Sequence, residues 1–383
     1  MVIAGAGQGG FQAAASLRTG GYQGPITLIG DELHLPYQRP PLSKEYLLGK
    51  QAIEKTELRP RAFYEAQNIA LVMGERVVKI DRGNQQVRLA SGASIGYSKL
   101  VLATGARVRE LPIDGVLYLR GCDDAIELKS RIDKSQTVVI VGGGFIGLEV
   151  AAAARMLGKQ VTVVEMQPRL MARVVAPAIS EFYRKLHAEQ GVEILFGAQA
   201  IPEADVTVAG VGVIPNDELV RDVGLTTANG IAVDAYLRTS DHNIYAIGDC
   251  AEHDNPYAGD RVRLESVQNA VDQGKCVAAN IIANAAGGPL HLYAAVPWFW
   301  THQFDIMLQM AGLSAGCDQV VTRGDPSSRK FSVFYFKDGT LRAADSINRP
   351  GDHMLARKLL AAKAPVTAEQ AAEEGFDLKS LLA

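Results

Sequence analysis

The stretch Val138-Val139-Ile140-Val141-Gly142-Gly143-Gly144-Phe145-Ile146-Gly147 decides how the central part of this chain folds. Its first four residues are β-branched and apolar, as a parallel strand buried on both faces requires. Gly142, Gly144 and Gly147 follow at the spacing of a dinucleotide-binding fingerprint, in which glycines permit a tight turn and a close approach to a pyrophosphate. The pattern predicts a strand that runs through a glycine loop into a helix.

The residues after this loop complete a β-α-β unit. A helical pattern runs from Leu148 to Leu157 and stops at Gly158, a residue typical of helix C-termini. The strand Val161-Thr162-Val163-Val164 then ends at Glu165, whose carboxylate can accept a hydrogen bond from a ribose hydroxyl and would repel a 2′-phosphate. The unit is therefore predicted to bind NADH in preference to NADPH, and Arg169 is interpreted as a surface charge.

A second fingerprint, Gly5-Ala6-Gly7-Gln8-Gly9-Gly10, lies near the N-terminus. It follows Val2-Ile3-Ala4, which has the composition of the last part of a buried strand. Gly5 permits the tight turn, Gly7 lets the backbone approach a pyrophosphate, and Gly10 lets the helix pack closely on the strand. The N-terminus of that helix would direct free N–H groups at the phosphates.

The rest of this N-terminal unit follows the same order. A helical pattern runs from Phe11 to Arg18, and the strand Ile26-Thr27-Leu28-Ile29 leads to Asp31 and Glu32. Either acid can accept from a ribose hydroxyl. A lone fingerprint can be no more than a glycine-rich turn, but here each of two copies has its strand, helix, second strand and acid. Two dinucleotides are implied, and a flavin with a nicotinamide is the usual pairing.

Composition excludes several classes of protein. The 383 residues are 48% hydrophobic and 21% charged, which is a globular balance, and the net charge of −3 provides no basic field for nucleic acid. No apolar run approaches the roughly 20 residues that span a membrane. We expect a cytoplasmic protein, without a metal site, from which a few residues before Met1 are missing. No disulfide or zinc framework is indicated, because the cysteines are scattered singly: Cys122, Cys250, Cys276 and Cys317.

Several further segments carry a family resemblance. They are Arg39-Pro40-Pro41-Leu42-Ser43-Lys44, Leu102-Ala103-Thr104-Gly105-Ala106, Ile244-Tyr245-Ala246-Ile247-Gly248-Asp249, Leu264-Glu265-Ser266-Val267-Gln268-Asn269-Ala270, Pro297-Trp298-Phe299-Trp300 and Gly324-Asp325-Pro326. With these segments, the chain resembles the FAD-dependent ferredoxin reductases of bacterial oxygenase systems over essentially its whole length.

The resemblance implies an α/β fold with two Rossmann-like dinucleotide-binding domains, for FAD and NAD, and a C-terminal α+β domain. The FAD domain is expected in two parts, 1–105 and 231–295, with the NAD domain at 106–230 and the C-terminal domain at 296–383. Within the last domain, the alternating run 331–336 and the turn Lys337-Asp338-Gly339-Thr340 predict a hairpin.

The chain departs from the family pattern after Gly197. A β-meander of about twenty residues is expected there, but Ala200 runs directly into Ile201-Pro202-Glu203-Ala204-Asp205. Either a hairpin layer has been lost or residues are missing from the sequence, and we favour the second because deleting paired strands exposes sheet edges. The segment between Leu111 and Tyr118 is shorter than expected, with the same two explanations.

The resemblance also assigns residues to the cofactors. It implies that Asp249 binds the ribityl chain and that a helix beginning at Val267, capped by Glu265-Ser266, turns its positive end towards the flavin ring. Beyond the two fingerprints and their acids, the residues implied to bind cofactors are Arg39, Lys44, Ala103, Thr104, Gly105, Glu149, Gly248, Asp249, Val267 and Trp298.

Lys44 and Glu149 are the implied catalytic residues. In the family the matching lysine lies beside the reactive nitrogen of the flavin and pairs with a glutamate, where its charge would stabilise the reduced flavin. From the residues alone, a surface lysine and a glutamate favoured by the helix dipole would be the simpler interpretation. Trp298 and Trp300, two residues apart, would share one face of a strand beside the flavin, with core packing as the alternative.

The function implied is transfer of electrons from NADH through FAD to a 2Fe–2S ferredoxin. Because ferredoxins are acidic, the resemblance implies a basic docking patch, although for each single residue a mixed solvated surface is the favoured interpretation. A disulfide reductase is disfavoured, because the stretch Gln38 to Leu48 has no cysteine. A quinone-type acceptor and an NADH-responsive sensor remain as alternatives. Candidates for the patch are Arg323, Arg329, Lys330, Arg349, Arg357 and Lys358.

Overall fold

The structure is a computed structural model that describes residues 1–198 and 200–382. Ala383, the last residue of the expected C-terminal domain, and Gln199, in the expected NAD domain, lie outside the described residues. Within the described part the chain forms two compact units, each made of three segments. The division into FAD, NAD and C-terminal domains at the boundaries given above stays a prediction.

The described part of the chain contains many short strands. In chain order the strands are β1 (Val2–Ala4), β2 (Ile26–Gly30), β3 (Ile69–Met73), β4 (Val77–Asp81), β5 (Gln86–Leu89), β6 (Ser94–Gly96), β7 (Leu100–Leu102), β8 (Ala106–Val108), β9 (Thr137–Val141), β10 (Gln160–Glu165), β11 (Val192–Phe196), β12 (Val206–Ala209), β13 (Val213–Pro215), β14 (Thr227–Ala228), β15 (Gly230–Ala232), β16 (Ile244–Ala246), β17 (Ala251–Asn255), β18 (Asp260–Arg263), β19 (Trp298–Gln303), β20 (Ile306–Gly312), β21 (Gln319–Asp325), β22 (Lys330–Lys337) and β23 (Thr340–Ile347).

The described α-helices range from four to nineteen residues in length. They are α1 (Gln8–Thr19), α2 (Arg61–Ala66), α3 (Cys122–Lys134), α4 (Phe145–Met156), α5 (Pro177–Glu189), α6 (Glu218–Arg221), α7 (Val267–Ala285), α8 (Pro350–Ala362) and α9 (Ala368–Ala372). Short 3-10 helices occur at Pro40–Ser43, Ile53–Thr56, Gly248–Cys250, Pro326–Ser328 and Leu378–Leu382.

The first unit comprises Met1–Gln38, Thr56–Arg107 and Val213–Ala295. Its centre is a parallel five-stranded sheet in the order β16-β7-β1-β2-β3. All three residues of β1 are buried, because the strand pairs with β2 on one side and β7 on the other. This burial explains why Val2–Ala4 has no polar residue.

Helices α1 and α7 pack against each other at a point where only glycine fits. A Cβ on Gly274 would lie 2.9 Å from the carbonyl oxygen of Gly9 and 3.1 Å from the backbone nitrogen of Ala13. The approach of the two backbones brings the helix that follows the first glycine loop against the helix that begins at Val267.

The second unit comprises Arg39–Lys55, Val108–Gly212 and Val296–Ala383. One of its sheets is parallel, in the order β11-β10-β9-β12, and its central strand β9 contains the apolar run that opened the analysis. The other sheet is antiparallel, in the order β19-β20-β23-β22-β21. The predicted hairpin is confirmed: β22 and β23 are joined by Asp338 and Gly339, both with positive φ, of 49° and 71°.

The described part of the chain between Phe196 and Val206 has no strand, so the expected meander is not formed there. The chain passes from β11 to β12, which pairs directly with β9. Asp205 fixes the junction, because its carboxylate accepts hydrogen bonds from the backbone nitrogens of Gln136 and Thr137 at 2.8 and 2.9 Å.

Among the described helices, none combines the length and the apolar composition needed to cross a membrane.

Arg323, one of the candidates for the basic patch, is instead a buried structural residue. Its guanidinium donates to the backbone carbonyls of Glu373, Glu374 and Phe376, just beyond α9. The side chain is therefore not available to bind a partner, and it fixes the C-terminal segment to β21.

Replacing Arg323 with methionine should lower the free energy of unfolding by about 2–3 kcal/mol, because buried carbonyls lose charged donors. Chemical denaturation measures this loss, and limited proteolysis should show earlier cleavage after Lys363. Arg329→Met is the matched control: Arg329 is partly exposed and pairs with two surface acids, Glu189 and Asp305, so its loss should cost under about 1 kcal/mol. Equal losses in the two variants would contradict the assignment.

Candidate active site

The first glycine loop has one crowded side and one open side. Gly5 has φ of 111°, and a Cβ there would lie 2.1 Å from the carbonyl oxygen of Ala103. A Cβ on Gly10 would lie 1.9 Å from the carbonyl oxygen of Gly5. Nothing lies within 4 Å of the Cβ position of Gly7, which is the N-cap residue of α1. The loop thus closes tightly on the sheet and leaves free space at the helix start.

No side chain caps α1 at Gly7. The first N–H groups of a helix have no partner within the helix, so they can bind an anion that enters the open space above Gly7. This is the chemistry that a dinucleotide pyrophosphate requires, and the first loop fits such a group.

The two acids after β2 differ in their surroundings. Asp31 is exposed, whereas Glu32 is half-buried and its carboxylate accepts a hydrogen bond from the Tyr37 hydroxyl at 2.6 Å. Only Glu32 is therefore held in one orientation, which makes it the better-placed of the two predicted ribose acceptors.

The segment Ala103-Thr104-Gly105 is fixed by a residue that the sequence analysis missed. Asn216, directly after β13, donates from its side chain to the Thr104 carbonyl at 2.8 Å, and its own carbonyl accepts from the Thr104 hydroxyl at 2.7 Å. Its backbone nitrogen donates to the Gly105 carbonyl at 3.0 Å. The only sequence signal was an asparagine at the end of a short apolar strand.

The predicted Gly248-Asp249 segment forms a 3-10 turn in which Gly248 has φ of 75°. The Gly248 nitrogen donates to the side-chain oxygen of Gln273 at 2.7 Å. Gln273, on α7, is fully buried and contacts the ring of His253 at 3.3 Å. Burial lowers the pKa of His253 to about 4, helped by the charge of Arg261, so the ring is neutral. The sequence analysis missed Gln273.

Helix α7 begins at Val267, as predicted. Ser266 is its N-cap, and the serine side chain accepts from the Asn269 nitrogen at 3.1 Å. Glu265 is instead paired with Arg263 at 2.7 Å. The positive end of a nineteen-residue helix is therefore presented by the same unit that contains the first glycine loop.

The second loop, in the second unit, repeats the geometry of the first. Gly142 has φ of 106°, and a Cβ there would lie 2.6 Å from the carbonyl oxygen of Gly210. A Cβ on Gly147 would lie 2.1 Å from the carbonyl oxygen of Gly142. Gly144 is the N-cap residue of α4, again without a side-chain cap. This loop also fits a dinucleotide pyrophosphate.

Glu165 is tied to the second loop. One carboxylate oxygen accepts from the Gly143 nitrogen at 2.7 Å, and the other accepts from the Gln167 nitrogen at 2.7 Å. Arg169 is not the surface charge that was expected: its guanidinium is half-buried and donates to Val175, Ala172 and Ser180 at 2.6–2.7 Å. The Glu165 carboxylate thus lies beside the loop, and the Arg169 guanidinium is hydrogen-bonded to the chain segment that follows it.

Lys44 and Glu149 form a short ion pair of 2.6 Å in the second unit. Lys44 is the C-cap residue of the 3-10 helix Pro40–Ser43, and Glu149 lies on α4 with 4% of its surface exposed. The same carboxylate oxygen accepts from the Ser43 hydroxyl at 2.5 Å, and the other oxygen accepts from the Thr301 hydroxyl at 2.7 Å. Three donors compensate the burial of this carboxylate.

Thr301 continues this network into the interior. Its hydroxyl lies 3.2 Å from the side-chain nitrogen of Gln303, whose oxygen lies 2.8 Å from Nε2 of His187. Burial lowers the pKa of His187 to about 4, against the opposing effect of its hydrogen bond to Gln303. None of these three residues was predicted, because neither their types nor their spacing marks them as a group.

Trp298 and Trp300 share one face of β19, as predicted, with ring centroids 5.5 Å apart. The Arg357 guanidinium lies 4.8 Å from the centroid of Trp298, and the ring of His353 lies 5.9 Å away. We call Trp298, Trp300, His353 and Arg357 the tryptophan face. It combines flat aromatic area with a cation.

The remaining predicted residues are placed as follows. Arg39 donates to the backbone carbonyl of Arg120. Arg349 pairs with Asp352 and Glu374 at 2.8 and 2.9 Å, while Lys330 and Lys358 are exposed. Of the six basic candidates, Arg357 and Lys358 are adjacent in the helix that contacts the tryptophan face.

Two family sequence models match the chain. The pyridine nucleotide-disulphide oxidoreductase model matches residues 1–201 and 200–274, and its two parts meet where the expected meander is absent. The reductase C-terminal model matches residues 298–382.

Individual proteins match over nearly their full lengths. Rhodocoxin reductase of Rhodococcus erythropolis is 47% identical, with 100% of this chain and 94% of the relative covered. The ferredoxin–NAD(+) reductase component of the anthranilate 1,2-dioxygenase system of Burkholderia cepacia is 42% identical, covering 100% and 98%. The crystal structure of the covalent putidaredoxin reductase–putidaredoxin complex matches with a TM-score of 0.95 at 38% identity, covering 100% and 97%.

With two glycine loops of the same geometry and full-length similarity to such reductases, this chain belongs to the pyridine nucleotide-disulphide oxidoreductase family.

Proposed function

We propose that this protein is an NADH-dependent flavoprotein reductase that passes electrons from NADH through FAD to a 2Fe–2S ferredoxin, which serves a cytochrome P-450 or a ring-hydroxylating oxygenase. The observation that carries the proposal is the pair of glycine loops, one in each unit and each opening an uncapped helix, in a chain similar to ferredoxin reductases along its length. We also propose that it acts in the cytoplasm, which its few and singly scattered cysteines favour.

A bound flavin supplies the chemistry that takes an electron pair as hydride and releases electrons singly. In the first unit, the N–H groups of α1 above Gly7 would bind the FAD pyrophosphate, and Glu32 would accept from the adenosine ribose. Asp249 would bind the ribityl chain from a turn that Gln273 holds in place. The positive end of α7 would stabilise negative charge on the reduced ring.

In the second unit, Gly142, Gly144 and Gly147 would hold the pyrophosphate of NADH at the start of α4. Glu165, fixed by the Gly143 nitrogen, would accept from the 2′-hydroxyl and repel a 2′-phosphate. Arg169 cannot compensate such a phosphate, because its guanidinium already binds three groups of its own segment.

The Lys44–Glu149 pair is proposed to act on the flavin charge. Lys44 carries a cation with 14% of its side chain exposed, and Glu149 fixes the ammonium group at 2.6 Å. A fixed cation stabilises the negative charge of a reduced flavin without reorganisation during the reaction.

We propose that the ferredoxin docks on the tryptophan face. An acidic iron–sulfur protein would be attracted by Arg357 and by the exposed Lys358, and the indole rings would supply the apolar centre of a small interface. The solved complex of putidaredoxin reductase with putidaredoxin concerns a relative of the same fold and supports a protein acceptor here.

Anaerobic stopped-flow spectroscopy tests the function. Mixing the purified yellow protein with NADH should bleach the flavin rapidly, and a second mixing with a 2Fe–2S ferredoxin should restore the flavin absorption. Reduction by NADH without a response to ferredoxin, but with reoxidation by a quinone, would reject the ferredoxin reductase. Reduction without fast reoxidation by either acceptor would indicate an NADH sensor.

Glu165→Gln should shift the nicotinamide preference. Removing the negative charge while keeping an acceptor for Gly143 should raise kcat/KM for NADPH relative to NADH by about tenfold. Steady-state kinetics with both cofactors measures the ratio. Glu193→Gln, an exposed acid on the neighbouring strand β11, is the matched control and should leave the ratio unchanged. If the wild-type protein already prefers NADPH, the role given to Glu165 is wrong.

Reversing the charge of Arg357 and Lys358 together to glutamate should raise the apparent KM for ferredoxin about tenfold, because an acidic partner would then meet like charge. Flavin reduction by NADH, measured without ferredoxin, should stay normal. Lys337→Glu, at the hairpin end of β22, is the control for a general change of charge. An unchanged KM in the double variant would remove both residues from the docking surface.

A further inference from the structure

The two faces of strand β19 contact different parts of the second unit. Successive side chains of a strand point to opposite sides, so Phe299, Thr301 and Gln303 lie on one face and the two tryptophans on the other. The ring of Phe299 lies 4.8 Å from that of Phe145, the first residue of α4, and Thr301 bonds to Glu149 one turn further along that helix. One face of β19 is thus set against the nicotinamide-binding helix.

The hydrogen bonds that lead from His187 to Glu149 all have the same donor-to-acceptor direction. Nε2 of His187 faces the Gln303 amide oxygen, which can only accept, so Nε2 bears the hydrogen. The Gln303 amide nitrogen can only donate, so the Thr301 oxygen accepts from it. The single hydroxyl hydrogen of Thr301 is then directed at Oε1 of Glu149. We call His187, Gln303 and Thr301 the relay.

Stability does not account for the relay. Its three side chains are at most 1% exposed, and Nδ1 of His187 has no hydrogen-bond partner in the part of the chain that the structure describes. Replacing all the members of such a buried polar row together by apolar groups of similar shape can be nearly neutral for stability, and an unsatisfied ring nitrogen is costly. A row of polar groups that ends on the carboxylate of an ion pair points to a role in placing that carboxylate.

We infer that Gln303 and His187 are positioning residues for the Lys44–Glu149 pair. By fixing the Thr301 hydrogen on Oε1 of Glu149, they leave Oε2 to Ser43 and Lys44 and hold the ammonium group in one place. The inference deepens the proposed function and rests on it, since Lys44 is there assigned to the reduced flavin. It extends the determinants of flavin chemistry to α5, a helix without a predicted site residue.

Four variants separate positioning from packing. Gln303→Leu breaks the relay in the middle, and His187→Leu removes its terminal donor. His187→Gln keeps an N–H donor within reach of Gln303 and serves as the conservative rescue. Ser346→Ala removes a different buried hydrogen bond, with Ser332 at 3.1 Å, from the same antiparallel sheet and controls for general loosening.

Two measurements are made on each FAD-loaded variant. The first is the rate constant of flavin reduction by NADH in anaerobic stopped flow, together with its half-saturation concentration of NADH. The second is the flavin midpoint potential from spectroelectrochemical titration, which needs no NADH or acceptor. Flavin content and the melting temperature establish that each variant is folded.

Gln303→Leu and His187→Leu should each lower the limiting rate constant about tenfold, because a displaced charge loses much of its effect on the reaction. The half-saturation concentration should change less than about twofold, and the midpoint potential should become more negative. His187→Gln and Ser346→Ala should resemble the wild-type protein in both measurements.

The inference is overturned if the two relay variants match Ser346→Ala, or if the midpoint potential is unchanged in a folded, flavin-loaded Gln303→Leu protein. Failure of the proposed function is recognised separately: the wild-type protein would not be bleached by NADH or would not be reoxidised by ferredoxin. In that event the midpoint potentials of the variants still decide whether the relay positions Lys44.

Discussion

The burial of the Glu149 carboxylate is the constraint on which the second unit depends. A carboxylate removed from water costs several kcal/mol unless donors surround it, and here the donors come from separate parts of the chain. Ser43 and Lys44 arrive at the end of a proline-stiffened 3-10 helix, and Thr301 arrives on β19. The unit must therefore bring three distant segments together before this charge can be accommodated.

The two glycine loops have the same steric requirements. In each, the first glycine has positive φ and faces a carbonyl of a neighbouring segment, and the last glycine packs on the first. They differ in how the acid is held: Glu165 bonds to the nitrogen of its own loop, whereas Glu32 is oriented by the hydroxyl of Tyr37. The shared part follows from backbone geometry, and the difference follows from the side chains that each unit supplies nearby.

The elements that were predicted correctly are those that the local sequence pattern specifies. The strands beside the two glycine loops, the start of α7 and the hairpin between β22 and β23 were predicted, since each depends on neighbouring residues and on period. Helices α1 and α4 instead begin at Gln8 and Phe145, three residues before the predicted Phe11 and Leu148. Asn216, Gln273, Gln303 and His187 were not found, because each acts through hydrogen bonds to residues distant in sequence. Arg323 and Arg169 were taken for surface charges, since composition cannot show that a guanidinium is committed to backbone carbonyls.

The contact of Gly274 with Gly9 has a consequence for the release of the proposed flavin. Helices α1 and α7 meet there backbone to backbone, so neither can shift at this point without displacing the other. With the flavin bound as proposed, its pyrophosphate at α1 and its ring at α7 would contact two helices that are packed together at this point. A movement that frees one end of the cofactor would then also disturb the contacts of the other end.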